Sequence, residues 1–204
     1  MSATQEFPGQ ARTAAGSAEA AAAFTIVLVG NPNCGKTTLF NALTGSRQRV
    51  GNWPGVTVEQ KIGEYRAGDL RFDVVDLPGT YSLDVAGQDV SLDEKVARDY
   101  VHAGEANLIV NIVDASNLER NLYLTTQLAE MRVPLLVALN MVDVADARGM
   151  TIDAAALARR LGCPVVPIVA SNGKGIDALK AAIGKAVVDV PRAVVSVDYD
   201  PVLA

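Results

Sequence analysis

Three short stretches of this 204-residue chain hold the residue types that grip phosphate and sort a purine. The first is Gly30-Asn31-Pro32-Asn33-Cys34-Gly35-Lys36-Thr37, which fits the spacing GxxxxGK[ST]. It lies between an apolar run at 24–29 and a helical pattern at 35–43, the context that gives the spacing meaning. Glycines let backbone N–H groups converge on phosphate oxygens. The helix that follows offers its positive end to the anion. Lys36 is placed as a point charge for the β- and γ-phosphates, and the Thr37 hydroxyl as a Mg²⁺ ligand. The expected cradle is Asn33, Cys34, Gly35, Lys36, Thr37 and Thr38.

The second stretch is Asp76-Leu77-Pro78-Gly79, directly after an apolar run at 70–75. A carboxylate there holds magnesium through a water, and the Gly79 N–H reaches toward a γ-phosphate. Alone such a turn is a common loop; in this order after the first motif it is informative. The third is Asn140-Met141-Val142-Asp143. The Asp143 carboxylate matches the two donors on the edge of guanine, a pair that adenine lacks, and a buried acceptor left without donors is costly. Asn140 is expected to brace the loop and Met141 to cover the base. Thr57, in the glycine-flanked segment 50–57, is the candidate second magnesium ligand, on a loop expected to order around a γ-phosphate. Trp53 in that segment has a plainer reading as a surface aromatic. Where many small GTPases carry Gln after Asp-x-x-Gly, this chain has Thr80. Slow hydrolysis, or another source of transition-state stabilisation, is therefore expected.

These residues need a scaffold, and the remaining pattern supplies one. Short apolar runs at 24–29, 108–113, 135–139 and 165–169 alternate with helical periodicity at 35–43, 92–101, 118–131, 154–161 and 176–188. Runs at 58–65 and 70–75 flank Ala67-Gly68-Asp69 and read as a hairpin. One hairpin plus repeated βα units implies an α/β fold of the Ras-like P-loop type. Its sheet is expected to be mostly parallel and six-stranded, with one antiparallel hairpin strand and helices on both faces. Ligands of such sheets sit beyond the carboxyl ends of the strands, where all three stretches fall. Residues 1–23 are rich in Ala, Ser, Gly and Gln and read as a flexible leader. Residues 24–188 form the expected globular domain. Residues 189–204 read as a linker into a further, truncated part.

Composition excludes several classes. Lys plus Arg number 18 and Asp plus Glu 23, a formal net charge of −5, which disfavours binding to nucleic acid backbones. The two cysteines, Cys34 and Cys163, stand in unlike contexts without metal-ligand spacing and read as unpaired thiols. The single histidine, His102, reads as an exposed helix residue. No apolar run reaches the ~18 residues of a membrane span.

Taken together, these stretches resemble the TRAFAC GTPases. More narrowly, the chain is similar to the N-terminal G domain of the FeoB family of prokaryotic ferrous-iron transporters. The resemblance rests on residues 30–45, on Val50-Gly51-Asn52-Trp53-Pro54-Gly55-Val56-Thr57-Val58-Glu59, on residues 76–83 and on residues 140–143. It implies a K⁺-stimulated GTPase. In that picture Asn33 and carbonyls around Gly51 to Trp53 hold K⁺, which neutralises transition-state charge as an arginine finger does. The plainer alternative is that Asn33 tethers its loop. The resemblance also implies GTP/GDP as ligand, Mg²⁺ and K⁺ as cofactors, and a helical regulatory domain and membrane permease as partners in the full-length protein. The implied location is the cytoplasmic face of the bacterial inner membrane, with this part soluble and a nucleotide-dependent oligomer left open. The last nucleotide motif departs from the family's Ser-Ala. Here Val169-Ala170-Ser171 leaves the Ala170 N–H to meet guanine O6 without a serine hydroxyl, which is expected to loosen the loop. Three other readings stay open: a nucleotide sensor with little hydrolysis, an RNA- or ribosome-associated GTPase, and an ATPase.

Overall fold

A computed structural model of the chain describes residues 23–84 and 91–189. The expected leader and tail therefore lie outside the described residues, except for Ala23 and Asp189. The seven strands are β1 (Ala23–Gly30), β2 (Gln48–Asn52), β3 (Glu59–Ala67), β4 (Leu70–Asp76), β5 (Leu108–Asp114), β6 (Leu135–Asn140) and β7 (Val165–Pro167). They lie in the order β2-β3-β4-β1-β5-β6-β7. The five strands from β4 to β7 run parallel, and β3 is antiparallel to both β4 and β2. The helices are α1 (Lys36–Thr44), α2 (Leu92–Ala103), α3 (Leu118–Glu130), α4 (Val142–Ala147), α5 (Ala154–Leu161) and α6 (Ile176–Asp189).

The expected α/β architecture is found, with seven strands where six were expected. The added strand is β2, in the segment read from sequence as a loop. Its residues Gln-Arg-Val-Gly-Asn are nearly all exposed and show no buried alternation, so it is held mainly by backbone pairing to β3, Gln48 opposite Gly63 through Asn52 opposite Glu59, and by the Gln48 side chain, which donates to Asn41 Oδ1 and the Gly45 carbonyl. Side-chain periodicity cannot reveal such an edge strand. The short helix α4 was also not expected, and β7 ends at Pro167, two residues before the expected end, although the Ile168 N–H still donates to the Leu139 carbonyl.

Strand β1 shows why both faces of the sheet are covered. Successive side chains point to opposite faces. Ile26 and Leu28 pack with Leu39, Phe40 and Ile183 of α1 and α6, while Val27 and Val29 pack with Ala97, Leu124 and Leu128 of α2 and α3. Each fully buried side chain of this size contributes about 1.5–3 kcal/mol. Helix α2 starts with a reciprocal capping box, in which the Glu94 N–H donates to Ser91 Oγ and the Ser91 N–H donates to Glu94 Oε2, both at 3.2 Å. Asp153 caps α5 through the Ala156 N–H, and Gly162 closes it in the left-handed conformation.

One buried polar pair sits within the core. Asn111, in the middle of β5 and 1 % exposed, donates through Nδ2 to the Val29 carbonyl and accepts the Thr125 hydroxyl at 2.6 Å. The bond locks α3 against the sheet in one register. Thr125→Val keeps the shape and removes the donor, so Asn111 Oδ1 loses its partner. We expect a loss of about 1–3 kcal/mol, read as a lower urea midpoint at unchanged slope.

Candidate functional site

The phosphate-loop residues leave β1 at Gly30, where a Cβ would lie 2.7 Å from both the Ile112 carbonyl and Cys34 Sγ. Only a residue without a side chain lets the loop turn this tightly beneath β5. Two further positions adopt left-handed backbone, Asn33 at φ 66° and Gly35 at φ 91°. Asparagine tolerates this conformation better than most residues. At Gly35 a Cβ would also collide with the Asn140 amide. Helix α1 then begins with no side-chain cap and no acidic residue in its first turn. Its leading N–H groups are thus left for an anion.

An open cleft of about 600 Å³ lies in front of this helix end and brings together Lys36, Thr37, Thr57, Asp76 and Gly79. Residues from three separate stretches of sequence thus line one cleft. Lys36 Nζ is 2.7 Å from Asp76 Oδ1, both side chains being nearly buried. Burial pushes the Asp76 carboxyl above the usual carboxylate range, and the Lys36 ammonium beside it pulls it down. Two hydroxyls and one carboxylate are hard oxygen donors of the kind that suit Mg²⁺, a cation that binds few protein ligands and keeps several waters. Among the described residues no cluster of three or more His, Cys, Asp or Glu offers a rival metal site.

Gly79 packs against Pro32, which a Cβ there would approach to 3.3 Å. The next residue, Thr80, is 1 % exposed, its N–H donating to the Gly30 carbonyl at 3.2 Å and its hydroxyl to the Ser82 carbonyl at 2.6 Å. Thr80 is therefore turned into its own loop, away from the place of the water-orienting glutamine.

The third stretch lies beside the loop. Asn140 ends β6, is 3 % exposed, donates through Nδ2 to the Cys34 carbonyl and accepts the Ala170 N–H, both at 2.9 Å. It thus bridges two loops at once, where the sequence reading has it brace one. The N–H of Ala170 expected for guanine O6 is engaged here by Asn140 Oδ1. Met141 is left-handed at φ 60°, and its Cε would lie 3.7 Å from a Cβ on Gly35. Asp143 stands exposed in the first turn of α4. Ser171 is exposed on the turn closed by the Val169 and Lys174 backbone bridge.

The residues expected for K⁺ are not in this cleft. Asn33 is exposed, Gly51 pairs opposite Gln60 within the sheet, and Trp53 is turned inward; Thr38, expected in the phosphate cradle, is exposed as well. The reading of Trp53 as a surface aromatic is corrected. It is 4 % exposed, edge-on to Tyr100 at 5.2 Å, and lines a separate cavity of about 240 Å³ against α2. Cys34 and Cys163 are both buried free thiols, each pushed up to about 11 by burial. His102 is exposed.

Some cleft residues were not singled out from the sequence. Lys61 from β3 and Ser91 and Asp93 at the start of α2 line its wall. The Ser91-x-x-Glu94 pattern is a legible helix start, but nothing in it says that the helix opens onto the phosphate loop. Asn31 is also buried beneath that loop, donating to the Arg120 carbonyl at 3.4 Å while its Oδ1 has no partner.

The fold and cleft define the class: a Ras-like P-loop domain with its phosphate loop, acidic strand end and base-side loop in the standard spatial order. Residues 24–183 match the family described as ferrous iron transport protein B, N-terminal part, and the chain belongs to that family. It is 60 % identical over 161 residues to the Fe(2+) transporter FeoB of Salmonella typhimurium, covering 79 % of this chain and 21 % of the relative. The chain thus spans about a fifth of the length of the curated relatives it matches. Among solved structures, the cytosolic domain of Thermotoga maritima FeoB in a GDP form superposes with TM-score 0.82 at 40 % identity, covering 89 % of this chain and 70 % of that one. The FeoB G domain of Methanococcus jannaschii superposes with TM-score 0.72 at 49 % identity, covering 82 % and 99 %. No helix among the described residues is long and apolar enough to cross a membrane.

Asn140→Ala leaves the Cys34 carbonyl and the Ala170 N–H without their partner. We expect about 1–3 kcal/mol lower stability without any ligand present, measured by urea unfolding followed by circular dichroism.

Proposed function

We propose that this chain binds GTP with Mg²⁺ and hydrolyses it, and that it does so as the nucleotide-driven part of a ferrous-iron transporter. The observation that carries the reading is the convergence of Lys36, Thr37, Thr57, Asp76 and Gly79 on one cleft at the free end of α1. The relative from T. maritima is described in a GDP form, which supports guanine nucleotide as the ligand. In this reading residues 24–188 are the nucleotide domain, residues 1–23 a leader, and residues 189–204 the entry into a helical regulatory domain. The relatives, of which this chain covers about a fifth, support further domains beyond that; in this reading they include a membrane permease, and this domain lies at the cytoplasmic face of the inner membrane.

The chemistry follows from the site. Uncapped N–H groups of α1 and the Lys36 ammonium hold the β- and γ-phosphate oxygens once Lys36 leaves Asp76. Thr37, Thr57 and Asp76 would hold Mg²⁺, which would supply charge to offset that building on the phosphate oxygens. The Gly79 N–H fixes the γ-phosphate, Asp143 takes the guanine N1 and N2 donors, and Met141 covers the ring. Water attacks the γ-phosphorus and GDP departs. Thr80 is bonded into its own loop; K⁺ held by Asn33 and by the carbonyls of Gly51 and Trp53 would supply the charge that stabilises the transition state. That arrangement requires the segment at β2 to leave β3. The same observation keeps the sensor reading as the second choice, in which nucleotide is bound and hardly turned over.

Titration calorimetry in magnesium buffer is expected to show heat with GTP and GDP and far weaker heat with ATP. Lys36→Ala is expected to weaken GTP at least a hundredfold, roughly the loss of a buried charge-assisted contact to phosphate. Equal binding by the variant would remove the phosphate assignment.

Turnover in KCl is expected to exceed turnover in NaCl, and Asn33→Ala is expected to abolish the difference while GDP affinity holds. Equal wild-type rates in the two salts would reject the K⁺ role. GTP that survives for hours in KCl would establish the sensor.

A further inference from the structure

Helix α3 grips the chain that follows Gly79 with three side chains from one face. Arg120, Tyr123 and Gln127 are spaced i, i+3 and i+7, which aligns them along the helix. The adjoining side of the same helix, through Leu124, Thr125 and Leu128, is fully buried. The Arg120 guanidinium carbon lies 4.2 Å from the centre of the Tyr81 ring. Gln127 Oε1 accepts the Leu83 N–H at 2.9 Å, and Gln127 Nε2 donates to Ser82 Oγ at 3.0 Å and to Asp84 Oδ2 at 2.5 Å. The Tyr123 hydroxyl donates to the same Asp84 Oδ2 at 3.0 Å. Four consecutive residues, 81–84, are thereby held by a helix remote from them in sequence. Arg120 also accepts the Asn31 amide through its carbonyl, so one turn of α3 meets the phosphate loop and the loop after Gly79 together.

The core does not require this. Tyr123 is 55 % exposed, Gln127 is half-buried, and Leu83 already anchors the segment by burial. A side-chain amide that satisfies one backbone N–H and two side-chain oxygens at once selects a single loop conformation. Gly79 stands three residues before Ser82, on the wall of the cleft.

We infer that Gln127, supported by Tyr123, is a positioning residue that latches residues 81–84 onto α3 and so holds the Gly79 N–H ready for a γ-phosphate. The inference rests on the nucleotide reading above. A preset loop loses less freedom when the triphosphate binds. A diphosphate does not reach Gly79 and gains nothing from the latch. The latch therefore sets the preference for triphosphate over diphosphate.

The test measures the affinities of GDP and β,γ-imido-GTP for wild type, Gln127→Ala and Tyr123→Phe in magnesium buffer, with hydrogen exchange at the Leu83 amide. Gln127→Ala is expected to weaken the GTP analogue by about tenfold, the worth of two or so ordinary hydrogen bonds. GDP affinity is expected to stay within about twofold of wild type, and Leu83 exchange to quicken. Tyr123→Phe removes one exposed hydroxyl and is expected to shift the ratio the same way by about twofold to threefold; it serves alone if Gln127→Ala does not fold. Wild type binding both ligands, with the variants weakened equally for both or for neither, would overturn the latch and leave the nucleotide reading intact. Wild type binding neither ligand would overturn the nucleotide reading, and this role with it.

Discussion

One side-chain amide fixes the relation between the phosphate loop and the two loops beside it. Asn140 donates a hydrogen bond to the Cys34 carbonyl and accepts one from the Ala170 N–H, in a place almost closed to water. Buried backbone groups must find partners, and an asparagine offers a donor and an acceptor a short distance apart. The amide can bridge these loops because β5 and β6 run two residues past the end of β1, which carries Asn140 over the phosphate loop. Gly30 of β1 registers with Ile112 of β5, and Asp114 of β5 with Asn140 of β6. A shift of one residue between neighbouring strands would carry Asn140 to the other face of the sheet.

The phosphate side of the cleft is arranged around charge. With no anion between them, Lys36 and Asp76 neutralise one another in a nearly buried pair. Taking both charges out of water is costly, and their attraction offsets that cost only while the contact is close. A phosphate group and a hard cation would satisfy the same two side chains separately, the lysine by oxygen anions and the carboxylate through metal-bound water. The neighbouring segments show a similar economy of contacts. Trp53 is pinned by Tyr100 of α2, and residues 81–84 by α3, so each stretch flanking the cleft rests on a helix whose other face belongs to the core.

Much of this was legible along the chain. The strand–loop–helix order around Lys36, the carboxylate after β4 and the asparagine after β6 follow from periodicity and spacing, because local sequence decides where an element ends and what comes next. The stretch around Trp53 also pointed to the family that residues 24–183 match. The edge strand β2 was not legible, since exposed side chains leave no periodic trace of a backbone ladder. Nor was the burial of Trp53, which depends on α2 lying across it, or the inward turn of Thr80, which depends on the Gly30 and Ser82 carbonyls being nearby.

The sequence by itself determined the chemical inventory of the cleft, the α/β class and the family, because residue type and spacing are properties of the chain. Only the tertiary structure decided which groups are spoken for: Lys36 by Asp76, the Ala170 N–H by Asn140, and residues 81–84 by α3. Those partners lie from 30 to 45 residues apart along the chain, and no local preference encodes which distant oxygen a donor meets once the sheet has closed.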